Sequence, residues 1–123
     1  MIRGRVTADR EALLRLAVKG EESDTQEIEG VIDTGFNGFL TLPGSAIHAL
    51  ELRFVGHRRV TLADGNVTTL DAHMASILWG GQTRDVLVLK AEGVPLIGMA
   101  LLNGHRLMVD VVPDGPVVIE PLT

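Results

Sequence analysis

Between Val31 and Pro43 the chain reads Val-Ile-Asp-Thr-Gly-Phe-Asn-Gly-Phe-Leu-Thr-Leu-Pro. Two apolar runs, Val31-Ile32 and Phe39 to Leu42, are separated by a short polar segment that holds one carboxylate and two glycines. β-branched Val and Ile favour extended chain, and Pro43 ends the second run by removing a backbone donor. Gly35 lets the backbone turn back and approach another segment or a ligand closely. The segment is read as strand, turn and strand, with Asp33 at the mouth of the turn. A carboxylate held there is partly desolvated and placed to act as a general base on water. Two such groups sharing one proton can act as base and acid together.

The remaining punctuation is rich in glycine and closely spaced, which favours many short strands. Residues 11–20 and 25–35 read as strands joined by the polar run Gly20 to Asp24. Residues 44–50 read as a short helix with Ser45 as N-cap. Residues 58–79 read as two strands meeting at Asp64-Gly65, for which a two-residue type I′ turn is expected, with positive φ at both positions. Gly80-Gly81 turns the chain into residues 83–91. A second short helix over 98–104 ends at Gly104. Residues 105–112 and 116–122 form a last hairpin around Pro113-Asp114-Gly115-Pro116. The fold class predicted is mainly β, a small closed barrel with one or two short helices, in one domain over residues 1–123.

Composition narrows the function. With 123 residues the chain suits one compact domain. A formal net charge of -5 gives it no electrostatic reason to seek nucleic acid or anionic lipid. The basic cluster His57-Arg58-Arg59 is short and reads as a solvated face. Without cysteine there is no disulfide, thiolate nucleophile or zinc–thiolate site. No apolar stretch approaches the ~20 residues of a membrane span, and the first residues lack the order of a signal peptide. A cytoplasmic protein is expected.

Apolar-apolar-Asp-Thr-Gly, here Val31 to Gly35, resembles the active-site signature of the aspartic proteases. A second mark of that family, two apolar residues and a glycine before a helix, stands here as Leu96-Ile97-Gly98. Between them lies the hairpin 60–70, where the family carries its flap. The order and spacing are similar to the retropepsins, over roughly Leu13 to Val111, and imply a retropepsin-like barrel. One Asp-Thr-Gly on a short chain implies a homodimeric endopeptidase, each subunit giving one Asp33 to hydrolyse a peptide or protein substrate without metal or cofactor. The resemblance further implies that Thr34 hydrogen-bonds across the two-fold axis and that Gly35 lets the substrate strand lie against the loop. Leu96, Ile97 and Gly98 would support the loop, and Ala63, Asp64, Gly65 and Asn66 would form the flap tip over the substrate.

Two positions depart from the retroviral pattern. An Asp two residues after Asp-Thr-Gly and an Arg after the second motif, which pair in those enzymes, are here Asn37 and Met99, so no orphan charge is left. Phe36 replaces a residue that is often small and is expected either to line a substrate pocket or to pack. The rival reading is a catalytically idle dimeric β-domain that binds extended peptides in the same cleft. His48, His57, His73 and His105 show no metal-ligand spacing, and His48 and His73 are expected to be structural. Ser45 and Ser76 lack the Gly-x-Ser-x-Gly context of a serine hydrolase. The acidic run 20–24 lacks the spaced ligands of a calcium loop. Trp79 is expected in the core.

Overall fold

A computed structural model describes residues 1–123. Ten strands and two short helices follow in the order β1 (Ile2–Val6), β2 (Ala12–Lys19), β3 (Gln26–Ile32), β4 (Leu40–Leu42), α1 (Gly44–Ala49), β5 (Arg53–Thr61), β6 (Val67–Trp79), β7 (Gln82–Lys90), β8 (Leu96–Ile97), α2 (Met99–Leu102), β9 (His105–Val109) and β10 (Pro116–Pro121). The strands form one sheet in the order β5-β6-β7-β4-β8-β3-β2-β1-β10-β9, and an extra pairing of β6 with β2 closes it on itself. The ring β6-β7-β4-β8-β3-β2 is thus a six-stranded barrel. The β5–β6 hairpin extends from one side, and the β1-β10-β9 arm from the other.

Alternation explains most of the barrel. Leu14, Leu16 and Val18 on β2 point inward, as do Ala75, Ile77 and Trp79 on β6 and Val86 and Val88 on β7. Leu40, Leu42, Ile97, Leu101, Val117 and Ile119 complete the same core. Each fully buried aliphatic side chain contributes roughly 1.5–3 kcal/mol relative to exposure. Trp79 is in this core as expected. Its ring meets His105 edge to face at 5.6 Å.

Two strands lie outside the expected set. β1 carries arginine at two of five positions, which masks its alternation, yet Arg3 and Arg5 are exposed while Val6 is buried. Gly4 faces β2 so closely that a Cβ there would strike the Leu13 carbonyl. β8 has only two residues, too few for any periodic signal.

Two local expectations are corrected. Ser45 is not the N-cap of α1. Pro43 holds that position in extended conformation, and its carbonyl accepts the N–H groups of Ala46 and Ile47, both at 3.1 Å. The Gly44 N–H donates instead to Glu92 Oε2 at 2.9 Å, so an acidic side chain from a distant loop does what a local serine was expected to do. The hairpin tip is also not a two-residue type I′ turn. Gly65 N–H donates to Leu62 O at 2.9 Å and Leu62 N–H to Asn66 O at 2.7 Å. Only Gly65 has positive φ, +85°. The turn is centred on Ala63-Asp64 and followed by a left-handed glycine, a three-residue connection. Asp64 stabilises it by accepting the Asn66 N–H and Nδ2–H, each at 2.9 Å. Both central residues adopt positive φ at Gly80-Gly81, +59° and +85°, between paired Trp79 and Gln82.

His73 lies under the root of the hairpin. It is 9% exposed, its Nδ1 has no hydrogen-bond partner, and the Phe54 ring meets it edge to face at 5.6 Å. Burial holds its pKa below the ordinary value, the Asp71 carboxylate pulls it up and the Lys90 ammonium pulls it down. His48, in contrast, is exposed on α1, so its expected structural role has no packing to support it. Because folded His73 resists protonation, the unfolded chain binds its proton first as pH falls below 6.5. Stability from this group is present above that pH and is lost on acidification. His73→Leu is expected to show a smaller fall in Tm than the wild type between about pH 7 and about pH 5, measured by thermal denaturation.

Candidate active site

The Asp33 loop is held by a strand exchange. β8 enters between β3 and β4, parallel to β3 with Val31 opposite Leu96 and Ile32 opposite Ile97, and antiparallel to β4 with Leu40 opposite Ile97. Val31 N–H donates to Pro95 O and Asp33 N–H to Ile97 O, both at 2.9 Å. The ladder thus ends on the residue that carries the carboxylate. The loop then folds over the start of α2. Gly98 N–H donates to Phe39 O at 3.1 Å, Met99 N–H to Phe36 O at 2.8 Å and Ala100 N–H to Gly38 O at 3.1 Å.

These bonds bring Asp33, Phe36, Leu96, Ile97 and Gly98 together, although the two segments lie far apart in the sequence. Ile97 and Gly98 are buried and Leu96 half-buried. A Cβ on Gly98 would collide with the Gly38 carbonyl and lie 2.7 Å from the Phe36 carbonyl. Close passage of two backbones requires glycine there.

Within the loop, Gly35 N–H donates to Asp33 Oδ1 at 2.9 Å and Phe36 N–H to Asp33 O at 3.1 Å. The carboxylate is thereby fixed by its own turn, with Oδ2 making no hydrogen bond. Asp33 is half-buried, while Thr34, Gly35 and Asn37 are exposed. Phe36 packs its ring against Gly38 and Gly98. It braces the loop from beneath.

One supporting residue has no motif to announce it. Thr41 is 5% exposed on β4, and its Oγ1 accepts the Leu96 N–H at 2.9 Å. Its only sequence trace is a hydroxyl in the otherwise apolar run Phe39 to Leu42. The hairpin tip, Ala63 to Asn66, is fully exposed. Its hydrogen bonds are internal, and none reaches the Asp33 loop.

No group of three or more His, Asp or Glu side chains is placed to hold a metal ion. His57 Nε2 lies 3.2 Å from Asp71 Oδ1, and His105 Nδ1 lies 3.0 Å from Asn103 O, so both are engaged within the fold. The acidic residues 21–24 are a surface turn in which Ser23 Oγ accepts the Gly20 N–H at 2.7 Å. No helix is long and apolar enough to cross a membrane.

The Gly98 contact generates a test. Gly98→Ala forces Cβ into backbone atoms that cannot turn away, and is expected to cost at least the ~1–3 kcal/mol of an overpacked core. Gly35→Ala, whose Cβ would lie 3.2 Å from Asp33 Oδ1, should cost much less. Denaturant unfolding of the two variants compares them.

No protein-family model matches this chain, and no curated protein matches it either. Among solved structures, the chain is similar to the crystal structure of a retropepsin-like aspartic protease from Rickettsia conorii. The TM-score is 0.62 at 14% identity, over 94% of this chain and 87% of that one. The closed barrel and two short helices agree with that likeness: this chain has the retropepsin-like fold.

Proposed function

We propose that the chain is an aspartic endopeptidase that acts as a homodimer. The observation that carries this reading is Asp33, set by the β3–β8 ladder at the mouth of an exposed, glycine-lined loop in a retropepsin-like fold. One chain supplies one such carboxylate. A second copy brings its Asp33 beside the first, and two carboxylates at hydrogen-bond distance share a proton; aspartic proteases are a standard example of such a pair. The charged copy takes a proton from the water between them. The neutral copy protonates the scissile carbonyl oxygen, and a tetrahedral diol forms without an acyl-enzyme. Thr34 bonds to its counterpart across the two-fold axis, and Gly35 lets the substrate strand pass close. The tip residues Ala63, Asp64, Gly65 and Asn66 close over an extended peptide through backbone hydrogen bonds.

What supports a second copy is the free edge of β9. Asp110 N–H donates to Pro116 O and Leu122 N–H to Gly104 O, so the even-numbered residues of this segment bond to β10. His105, Leu107 and Val109 therefore direct their backbone groups to the open side. The edge has no proline, bulge or lysine to discourage pairing. A symmetric antiparallel pair centred on Leu107 overlaps all of β9. It sets the exposed Met108 opposite Arg106 of the partner subunit, and exposed Val111 and Val112, just beyond β9, supply apolar surface on the same arm.

Two experiments test the reading. Asp33→Asn is expected to lower peptide cleavage by at least about 10²–10⁴-fold with an unchanged circular dichroism spectrum. Cleavage that survives in pure variant removes the assignment, and a wild type that binds peptides without cleaving them establishes the idle binding domain instead. Met108→Arg sets like charges opposite one another. It should raise the dimer dissociation constant in sedimentation, while Met108→Glu, facing the same arginine, should not. Specific activity should fall on dilution in step with the dimer, and an active monomer would contradict the proposal.

A further inference from the structure

The chain has three asparagines, and they differ in what holds them. Asn66 Nδ2 is tied to Asp64, and the next residue is branched Val67 at the start of β6. Asn37 and Asn103 are each followed by glycine, the residue that hinders its own amide nitrogen least in an opened chain. In the folded protein the space a Cβ would take is free at Gly104 and is filled by the Phe36 ring at Gly38, so reaction at Asn37 needs that ring to move aside. Asn37 is exposed and its side chain makes no hydrogen bond. The Gly38 N–H likewise donates to no acceptor in the protein. An untied side-chain amide and an untied backbone nitrogen therefore sit next to one another, in the loop that carries Asp33.

We propose that Asn37-Gly38 is a self-modification site at which the active-site loop deamidates. Hydroxide removes the Gly38 amide proton, and the nitrogen bonds to Asn37 Cγ. The bond from Cγ to Nδ2 breaks, and Nδ2 leaves as ammonia with a proton from water. The five-membered imide then takes up one water. Opening at the former Cγ carbonyl leaves an ordinary aspartate at this position. Opening at the backbone carbonyl gives isoaspartate, in which the backbone runs through the side-chain methylene. Amide and water become carboxylate and ammonium, so no oxidant or further reactant is needed.

The location gives the step its consequence. Phe36 O and Gly38 O, on either side of Asn37, are held by Met99 N–H at 2.8 Å and Ala100 N–H at 3.1 Å. Isoaspartate adds one backbone bond, about 1.5 Å, between these anchors. Both hydrogen bonds cannot survive that insertion with their present geometry, so the loop detaches from α2. Asn103-Gly104 lies beyond α2, and its modification leaves both anchors in place.

The test incubates the purified full chain, folded and in denaturant, at mildly alkaline pH. Peptide mapping with fragmentation that separates aspartate from isoaspartate follows each asparagine. Folded Asn37 is expected to convert within about a hundredfold of the denatured rate, equivalent to local opening at a cost of about 2.8 kcal/mol or less. Asn37→Gln should lose the product at this position alone. In the isoaspartate fraction, hydrogen exchange at the Met99 and Ala100 amides should accelerate. Slower conversion of Asn37, conversion at Asn103 alone, or unchanged exchange at both amides in modified protein overturns the proposal. Because the readouts are mass and amide exchange, the result is independent of whether Asp33 cleaves peptides.

Discussion

The candidate site depends on one close passage of backbone, where Gly98 slides beneath Phe36 and Gly38. β8 can enter between β3 and β4 only if its exit is as narrow as a bare peptide, and a single Cβ would fill that exit. Once it has entered, the ladder bonds at Val31 and Asp33, the Thr41 hydroxyl on Leu96 and three bonds to the start of α2 fix the loop from three directions. Each hydrogen bond contributes on the order of 1 kcal/mol net. Their larger effect is positional, since they hold the turn that carries the Asp33 carboxylate in one place.

The hairpin is built on the opposite terms. Its tip carries only internal hydrogen bonds, and its side chains are exposed, so it has little to lose by moving. Its root is firmer: Phe54 meets His57 and His73 edge to face, and His57 pairs with Asp71 across the strands. The basic run His57-Arg58-Arg59 occupies the outer edge of β5, where charge discourages a further strand from adding. The free edge of β9, at the other end of the same sheet, carries a single arginine, Arg106, which pairs with Glu120 of β10.

Much of this was legible in the sequence. Closely spaced glycine-rich punctuation marked off β2, β6 and β7, and paired glycines marked the Trp79–Gln82 turn. The motif at Leu96 was visible because glycine is required at position 98, where backbones nearly touch, and the motif at Asp33 through its resemblance to a family signature. The hairpin at Asp64-Gly65 was located correctly and its turn type was not. A three-residue connection and a two-residue one share the Asp-Gly signal, and the difference lies in whether Asp64 takes positive φ or accepts the Asn66 amide from a right-handed position.

What the sequence by itself determined is whatever follows from local chemistry: the strand pattern, the tight turns, an acidic and cysteine-free chain, and one Asp-Thr-Gly. The tertiary structure alone decided what depends on partners far away along the backbone. Glu92 rather than Ser45 meets the first amide of α1, because a charged oxygen delivered by the β7–β8 connection lies nearer than any local hydroxyl. Two-residue β8 is a strand only because β3 and β4 leave a slot for it. Thr41 is an anchor only because Leu96 arrives opposite it. The Phe36 ring packs against Gly38 and Gly98 only because the fold brings Gly98 beneath the loop, since a ring fills the space that two glycines leave vacant.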